Sequence, residues 1–167
     1  ILFMFLSSDI NDSILAVNQI LLQFLSISAY ALDGFAFSAE ALIGQAFGAK
    51  SVASLRKVSI FATFWALLAA IILTLCFYFG SSFLIALMTT SEELRETSKI
   101  YVHWVIMAPI LAAPAFILDG IFIGATRTKD MRNCMIISFG IYFLAVWLLY
   151  EPFGNQGLWA SLMVMFI

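Results

Sequence analysis

Three carboxylates stand inside apolar runs of this chain. Asp33 and Glu40 lie in ALDGFAFSAEALIGQAFGAK (31–50), and Asp119 lies in APILAAPAFILDGIFIGATRTKD (108–130). Carboxyls in such surroundings can carry a proton, bind a cation, or share one proton as an acid–base pair. Asp33 and Glu40 are seven residues apart, which puts them on one helical face. That face can be followed back as Gln19, Gln23, Ser26, Tyr30, Asp33, Phe37, Glu40 and Gly44. All but Phe37 and Gly44 are polar, while the rest of the helix is mostly Leu, Ile, Phe and Ala. A polar stripe on an apolar helix faces protein or water, not lipid.

The setting makes those acids costly. A charged carboxylate at the middle of a bilayer costs about 2.5–3.5 kcal/mol on insertion scales, so three facing lipid would cost roughly 8–10 kcal/mol. They escape that cost by facing a hydrated cavity or by staying protonated when buried. Either condition suits a carrier of protons or cations. The plainer reading is packing: an Asp-Gly pair can hydrogen-bond across helices at a loosened turn, and Gly permits close approach. Asp33 is the stronger functional candidate, because intramembrane acids are functional by default. Glu40, nearer the interface, and Asp119 divide evenly between the two readings. Gln19 and Gln23 line a cavity or bridge helices.

The elements that hold these residues follow from composition. The 167 residues are 63% hydrophobic and only 11% charged, with mean hydropathy +1.05. Soluble domains carry about 25% charged residues. This chain is therefore read as an all-α integral membrane helix bundle whose first partner is the lipid bilayer. With no basic tract, a nucleic-acid partner is excluded. Apolar runs at about 14–43, 58–79, 97–125 and 134–150 are each taken as a membrane helix, with partial helices at 1–8 and 157–167. Polar breaks are expected at 7–13, 44–57, 80–96, 126–133 and 150–156. The chain begins and ends inside apolar runs, which is expected of a fragment.

Charge orients the zigzag. Lys50, Arg56 and Lys57 share one break, and Arg127, Lys129 and Arg132 share another, together six of the eight basic residues. The other breaks hold Asp9, Asp12, Glu92, Glu93, Glu96 and Glu151 against Arg95 and Lys99. Basic loops are expected in the cytoplasm. Asp33 then lies roughly 18 Å before Gln45 along the helix, near mid-membrane, and Asp119 roughly 12 Å before Arg127. Pro109 and Pro114 free the carbonyls of Val105 and Ile110. With Gly34 and Gly120 beside the acids, they are expected to bend or loosen their helices. LDGFAF (32–37) and LDGIFI (118–123) suggest a parallel repeat of helix pairs.

Other residues read more quietly. His103, between Tyr101 and Trp104, fits an interfacial aromatic belt. Cys76 and Cys134 are expected to be small buried hydrophobes; neither belongs to a Cys/His cluster, so no metal site is assigned. No HExxH, GxSxG or Walker loop appears, so no enzyme is expected.

The segments LDGFAFSAEALIGQAFGAK and LDGIFIGATRTKDMRN, the acidic loop before KIYVHW, the step GNQGLWAS and the motif IGQAFGA (43–49) together resemble the multidrug and toxic compound extrusion (MATE) family, specifically its DinF-like branch. The resemblance runs along almost the whole chain. It implies a twelve-helix fold of two six-helix lobes, with this chain as the second lobe: the end of helix 7, helices 8 to 11 and the start of helix 12. The N-terminal lobe would be its missing partner. It further implies a plasma-membrane antiporter that exports amphipathic, often cationic small molecules against H+ or Na+, with no cofactor beyond the coupling ion. In that branch the principal coupling Asp lies in helix 1, outside this chain. Other branches place cation-binding acids in helices 7 and 10, and Asp119 falls in the matching tenth helix. A flippase for lipid-linked sugars, a non-transporting scaffold and an intramembrane aspartyl enzyme are the competing readings. The flippase lacks an intramembrane Lys or Arg. The enzyme lacks a GxGD signature and needs Asp33 and Asp119 close enough to share a proton.

Overall fold

The computed structural model describes residues 2–166 and is built of six helices: α1 (Leu2–Ile10), α2 (Asp12–Gly48), α3 (Val52–Met88), α4 (Glu92–Gly124), α5 (Thr128–Phe153) and α6 (Asn155–Met165). Every described element is a helix, and α2 to α5 are each long and apolar enough to cross a membrane. Ile1 and Ile167, the outer residues of the two partial segments, lie outside the described residues.

The helices run well past the apolar runs. The expected breaks shrink to Asn11, residues 49–51, 89–91 and 125–127, and Gly154. Polarity marks where a chain leaves lipid, not where its backbone hydrogen bonding stops. Helices α2 and α3 have 37 residues each, about 55 Å of helix against a hydrocarbon core of about 30 Å. The true ends carry their own signals. The Asn11 carboxamide accepts from the Ser13 N–H at 3.1 Å, and the Ser51 hydroxyl accepts from the Ser54 N–H at 3.2 Å. Such caps satisfy amides that the first turn leaves open. At the end of α3 the Arg95 guanidinium, from α4, donates to the Thr89 and Ala86 carbonyls at 2.9 and 3.1 Å.

The two basic turns are built alike. Each runs Gly-Ala and then a left-handed residue, Lys50 (φ 53°) or Thr126 (φ 57°). In each, the next amide donates back across the turn: Ser51 to the Ala46 carbonyl, Arg127 to the Phe122 carbonyl. This matched geometry pairs Gly48 with Gly124. Asp33 lies fifteen residues before Gly48, whereas Asp119 lies five before Gly124. The Leu-Asp-Gly sequences are therefore ten residues out of register, roughly 15 Å along a helix. Measured from these turns, the two tripeptides do not occupy equivalent positions.

Helix α4 is the centre of the bundle, packed on α2 along most of its length and on α3. Gly120 and Gly124, one turn apart, make the closest approach. A methyl group added at Gly120 would collide with the Ala36 carbonyl. One added at Gly124 would lie 2.5 Å from the Glu40 carbonyl oxygen and 2.9 Å from Ile43 Cβ. Side chains must be absent there for the backbones to meet, the small-residue solution favoured between membrane helices. Around this contact Ala39, Ala66 and Ile117 are fully or nearly fully buried, and so, further along, are Leu32, Ala70, Ala112 and Ala113. Larger side chains fill the other end: Val17, Leu21, Phe24, Phe77, Val105, Leu158 and Trp159. Helix α5 lies to one side, with only Tyr142 and Val146 buried.

Gly120→Leu must push α4 away from Ala36, and overpacking of this kind costs about 1–3 kcal/mol. Gly34 has no heavy atom within 4 Å of an added methyl group, so Gly34→Ala should be neutral, or stabilise by up to about 1 kcal/mol through helix propensity. Thermal unfolding of the detergent-solubilised full-length protein checks both. A lowered Tm for Gly120→Leu beside an unchanged or raised one for Gly34→Ala is expected.

Candidate functional site

The glycine contacts fix how the acids meet. Ala36 faces Gly120 and Glu40 faces Gly124, so α2 and α4 advance together and run parallel. A bond from the Ser13 hydroxyl on α2 to the Glu93 carboxylate on α4, at 3.2 Å, shows the same sense at the opposite end. In this register Asp119 is level with Phe35, about 3 Å along the axis from Asp33. Both acids are partly buried. Glu40 sits two turns nearer the basic turns, beside the end of α4. Among the described residues none of the three acids is in an ion pair.

Helix α2 has two distinct faces. Val17, Leu21, Phe24, Leu32, Ala39 and Ile43 point into the bundle, each 0–1% exposed. The stripe of Gln19, Gln23, Ser26, Tyr30, Asp33, Phe37, Glu40 and Gly44 points away from it. Tyr30 is 77% exposed and Phe37 67%; Gln19 and Gln23 are also exposed, and Ser26, Asp33, Glu40 and Gly44 are partly covered. At its upper end the stripe borders an open cleft of about 310 Å³, lined by Ala16, Gln19, Ile20, Gln23, Met88 and Thr89 with Leu94.

The prolines stand inside an unbroken α4, Pro109 buried and Pro114 exposed. The Thr74 hydroxyl on α3 donates to the Ile106 carbonyl at 3.0 Å, three residues before Pro109. That bond lies beside, not at, the Val105 carbonyl that Pro109 leaves without its helical N–H partner. Gly120 serves helix contact, while Gly34 faces open space on a continuous α2. His103 is exposed, its ring 5.0 Å from that of Trp104.

Two features differ from the sequence reading. Cys76 and Cys134 are exposed, not buried. In a membrane chain, apolar neighbours mark a lipid-facing surface as readily as a core. The second is a buried amide cluster centred on Asn18. Its Nδ2 donates to Ser7 Oγ at 2.7 Å and to Asn155 Oδ1 at 2.6 Å. Its Oδ1 accepts from Asn155 Nδ2 at 3.1 Å and from Trp159 Nε1 at 2.9 Å. The cluster joins α1, α2 and α6, and its four residues are 0–4% exposed. The signal was present in the sequence. Asn18 lies one position off the Gln19–Gln23 stripe, a rotation of about 100° that turns it onto the apolar face, where an amide needs partners. Among the described residues no group of three or more His, Cys, Asp or Glu is placed to hold a metal ion.

A bundle of membrane-length helices with one uncovered polar face defines a multi-pass membrane protein. The chain belongs to the MatE family, whose family model matches residues 1–148. It is 35% identical over 160 residues to DNA damage-inducible protein F of Escherichia coli (strain K12). That alignment covers 95% of this chain and 34% of the relative, so the chain spans about a third of that protein's length.

Asn18→Leu removes the hub of the amide cluster and strands the Asn155 amide and the Trp159 N–H, at about 1–3 kcal/mol for each buried group left unpaired. Tm should fall, and iodide should quench Trp159 fluorescence more readily in a version of the protein whose other Trp residues are replaced by Phe. Unchanged quenching would mean that the cluster does not hold α6.

Proposed function

We propose that this chain forms the second lobe of a secondary active antiporter, which exports amphipathic or cationic small molecules in exchange for H+ or Na+. In this reading α2 to α5 correspond to helices 8 to 11 of the twelve-helix fold, and α1 and α6 to parts of helices 7 and 12. The exporter sits in the plasma membrane with its basic turns in the cytoplasm and needs no cofactor beyond the coupling ion. The observation that carries the proposal is the uncovered polar face of α2, with Asp33 and Asp119 level on adjoining helices. A scaffold would bury such acids against its own helices. A carrier leaves them on a surface that a second lobe closes into a hydrated cavity.

The residues take distinct roles. Asp33 and Asp119 hold the coupling proton or cation, or set the charge of the cavity at its middle. Gln19, Gln23 and Tyr30 line the substrate path on the outer side. Glu40 sits at the inner mouth. Pro109, with Thr74 bonded beside it, is the place where α4 adjusts between inward and outward forms. Asp33→Asn and Asp119→Asn in the full-length transporter should each lower efflux of a fluorescent cationic dye about tenfold or more, and flatten its dependence on external pH. Tenfold corresponds to about 1.4 kcal/mol, less than the cost of one charge misplaced at the bilayer centre. Glu40→Gln should have a smaller effect. Parental efflux and parental pH dependence in both Asp variants would overturn their assignment.

A further inference from the structure

The cleft at the end of the bundle opposite the basic turns is built by α2, α3 and α4. Gln19 and Gln23 stand on the α2 wall, Met88 and Thr89 at the end of α3, and Leu94 on α4. Side-chain bonds tie these walls together. The Ser13 hydroxyl of α2 donates to the Glu93 carboxylate, beside Leu94, at 3.2 Å. The Arg95 guanidinium, on the other side of Leu94, donates to the main-chain carbonyls of Thr89 and Ala86 at 2.9 and 3.1 Å. The cleft volume of about 310 Å³ lies at the lower end of the range for small-molecule sites, roughly 300–1,000 Å³. That suits one ring of a larger compound.

Among the described residues none that line the cleft is ionisable. Its polar side chains are two carboxamides and a hydroxyl. Gln19 and Gln23 are both exposed and stand one turn apart, about 6 Å along the axis. The adjoining Asn18 has both ends of its amide engaged inside the bundle; the two glutamines are turned out toward the cleft. A carboxamide offers a donor and an acceptor side by side. Two neighbouring hydroxyls of one ring match that pattern, whereas a simple cation or anion uses only half of it. Thr89 Oγ1 accepts from the Ser91 N–H at 3.2 Å, so its own hydrogen is left to donate. Ile20, on α2 between the two glutamines, and Leu94 supply apolar surface for the C–H face of such a ring.

We propose that this cleft is a subsite for an uncharged, hydroxyl-rich ring, the sugar of an amphipathic glycoside, and that Gln19 and Gln23 bind its hydroxyls. As a step of transport it rests on the reading above, in which these two residues line the substrate path; as a binding site it is read from the cleft itself. Asp33 lies ten residues beyond Gln23, roughly 15 Å along α2. A compound with a cationic end and a sugar end can reach both, so the cleft distinguishes compounds of equal charge.

The test uses the full-length transporter in nanodiscs and two probes of equal charge. One is a triphenylphosphonium whose alkyl arm ends in glucose; the other is the same compound with the glucose hydroxyls O-methylated, which keeps the ring and removes its donors. Equilibrium binding is measured with binding to empty nanodiscs subtracted. The unsubstituted protein should bind the free glucose form about tenfold more tightly, the worth of one or two net hydrogen bonds. Gln19→Leu combined with Gln23→Leu should bring that ratio to within about twofold of unity, and Thr89→Val should lower it about two- to threefold. Each ratio is taken within one protein, so a loss of folded material cancels. A ratio near unity in the unsubstituted protein, an unreduced ratio in the double Gln variant, or an equal loss of affinity for both probes there would each overturn the subsite. Efflux from proteoliposomes separates this outcome from the transport reading. If neither probe is moved by a proton or sodium gradient while the binding ratio holds, the antiporter reading falls and the subsite stands.

Discussion

The backbone contact between α2 and α4 is the constraint on which the remaining geometry rests. In lipid there is no hydrophobic drive to press helices together, so close packing and polar contacts must do it. Gly120 and Gly124 give α4 a flat face, and the main chain of α2 from Ala36 to Ile43 occupies it. That contact makes the two helices parallel and sets their register. The register in turn brings Asp33 and Asp119 to one level and places Glu40 at the end of α4. Further along α4, Ala112 and Ala113 pack with Leu32 of α2 and Ala70 of α3.

The polar groups of the bundle are then sorted by which side of the seam they occupy. Among the described residues no fully buried side-chain N or O atom lacks a hydrogen-bond partner, as the low dielectric demands. Asn18 makes four such contacts to Ser7, Asn155 and Trp159, and Ser28 and Ser161 bond back to carbonyls one turn earlier. On the other side Gln19, Gln23, Tyr30 and Asp33 are left on the surface. The same helix thus carries a closed polar network and an open one about 100° apart. The closed network ties the short helices α1 and α6 to α2. The open one remains available to water, ions or a second protein surface.

How much of this was legible depended on the kind of signal. Composition and apolar run length identified the membrane helices, because twenty apolar residues have few other uses. The polar stripe was legible as well: a period of three and four is a property of the helix itself, and Tyr30, Asp33 and Phe37 do point away from the bundle. Helix ends were not. Gln45, Ser81 and Arg95 read as breaks because they are polar, yet each continues a helix whose backbone bonds are indifferent to side-chain polarity. The two cysteines failed for the related reason that apolar context does not tell lipid from core. The register between α2 and α4 could not be read at all. GIFIG (120–124) carries the small-residue spacing, but nothing local says that Ala36 is what it meets.

The out-of-register tripeptides show how the two acids come to stand at one level. Had Asp33 and Asp119 been equivalent copies from a duplicated helix pair, each would stand at the same distance from its basic turn. They stand fifteen and five residues away, yet they end up level, because α2 overruns α4 by about 12 Å. Their nearness is therefore a product of the helix contact and not of an inherited repeat. The α2–α4 contact through Gly120 and Gly124, not the distance from the turns, sets their level. A pair of half-buried acids at one depth, on the boundary between a packed seam and an open face, is where a bound cation would be attracted by both charges while keeping contact with water. In the antiporter proposed above, ion occupancy there would act on the α2–α4 seam, because each acid lies within one turn of the Ala36–Gly120 contact.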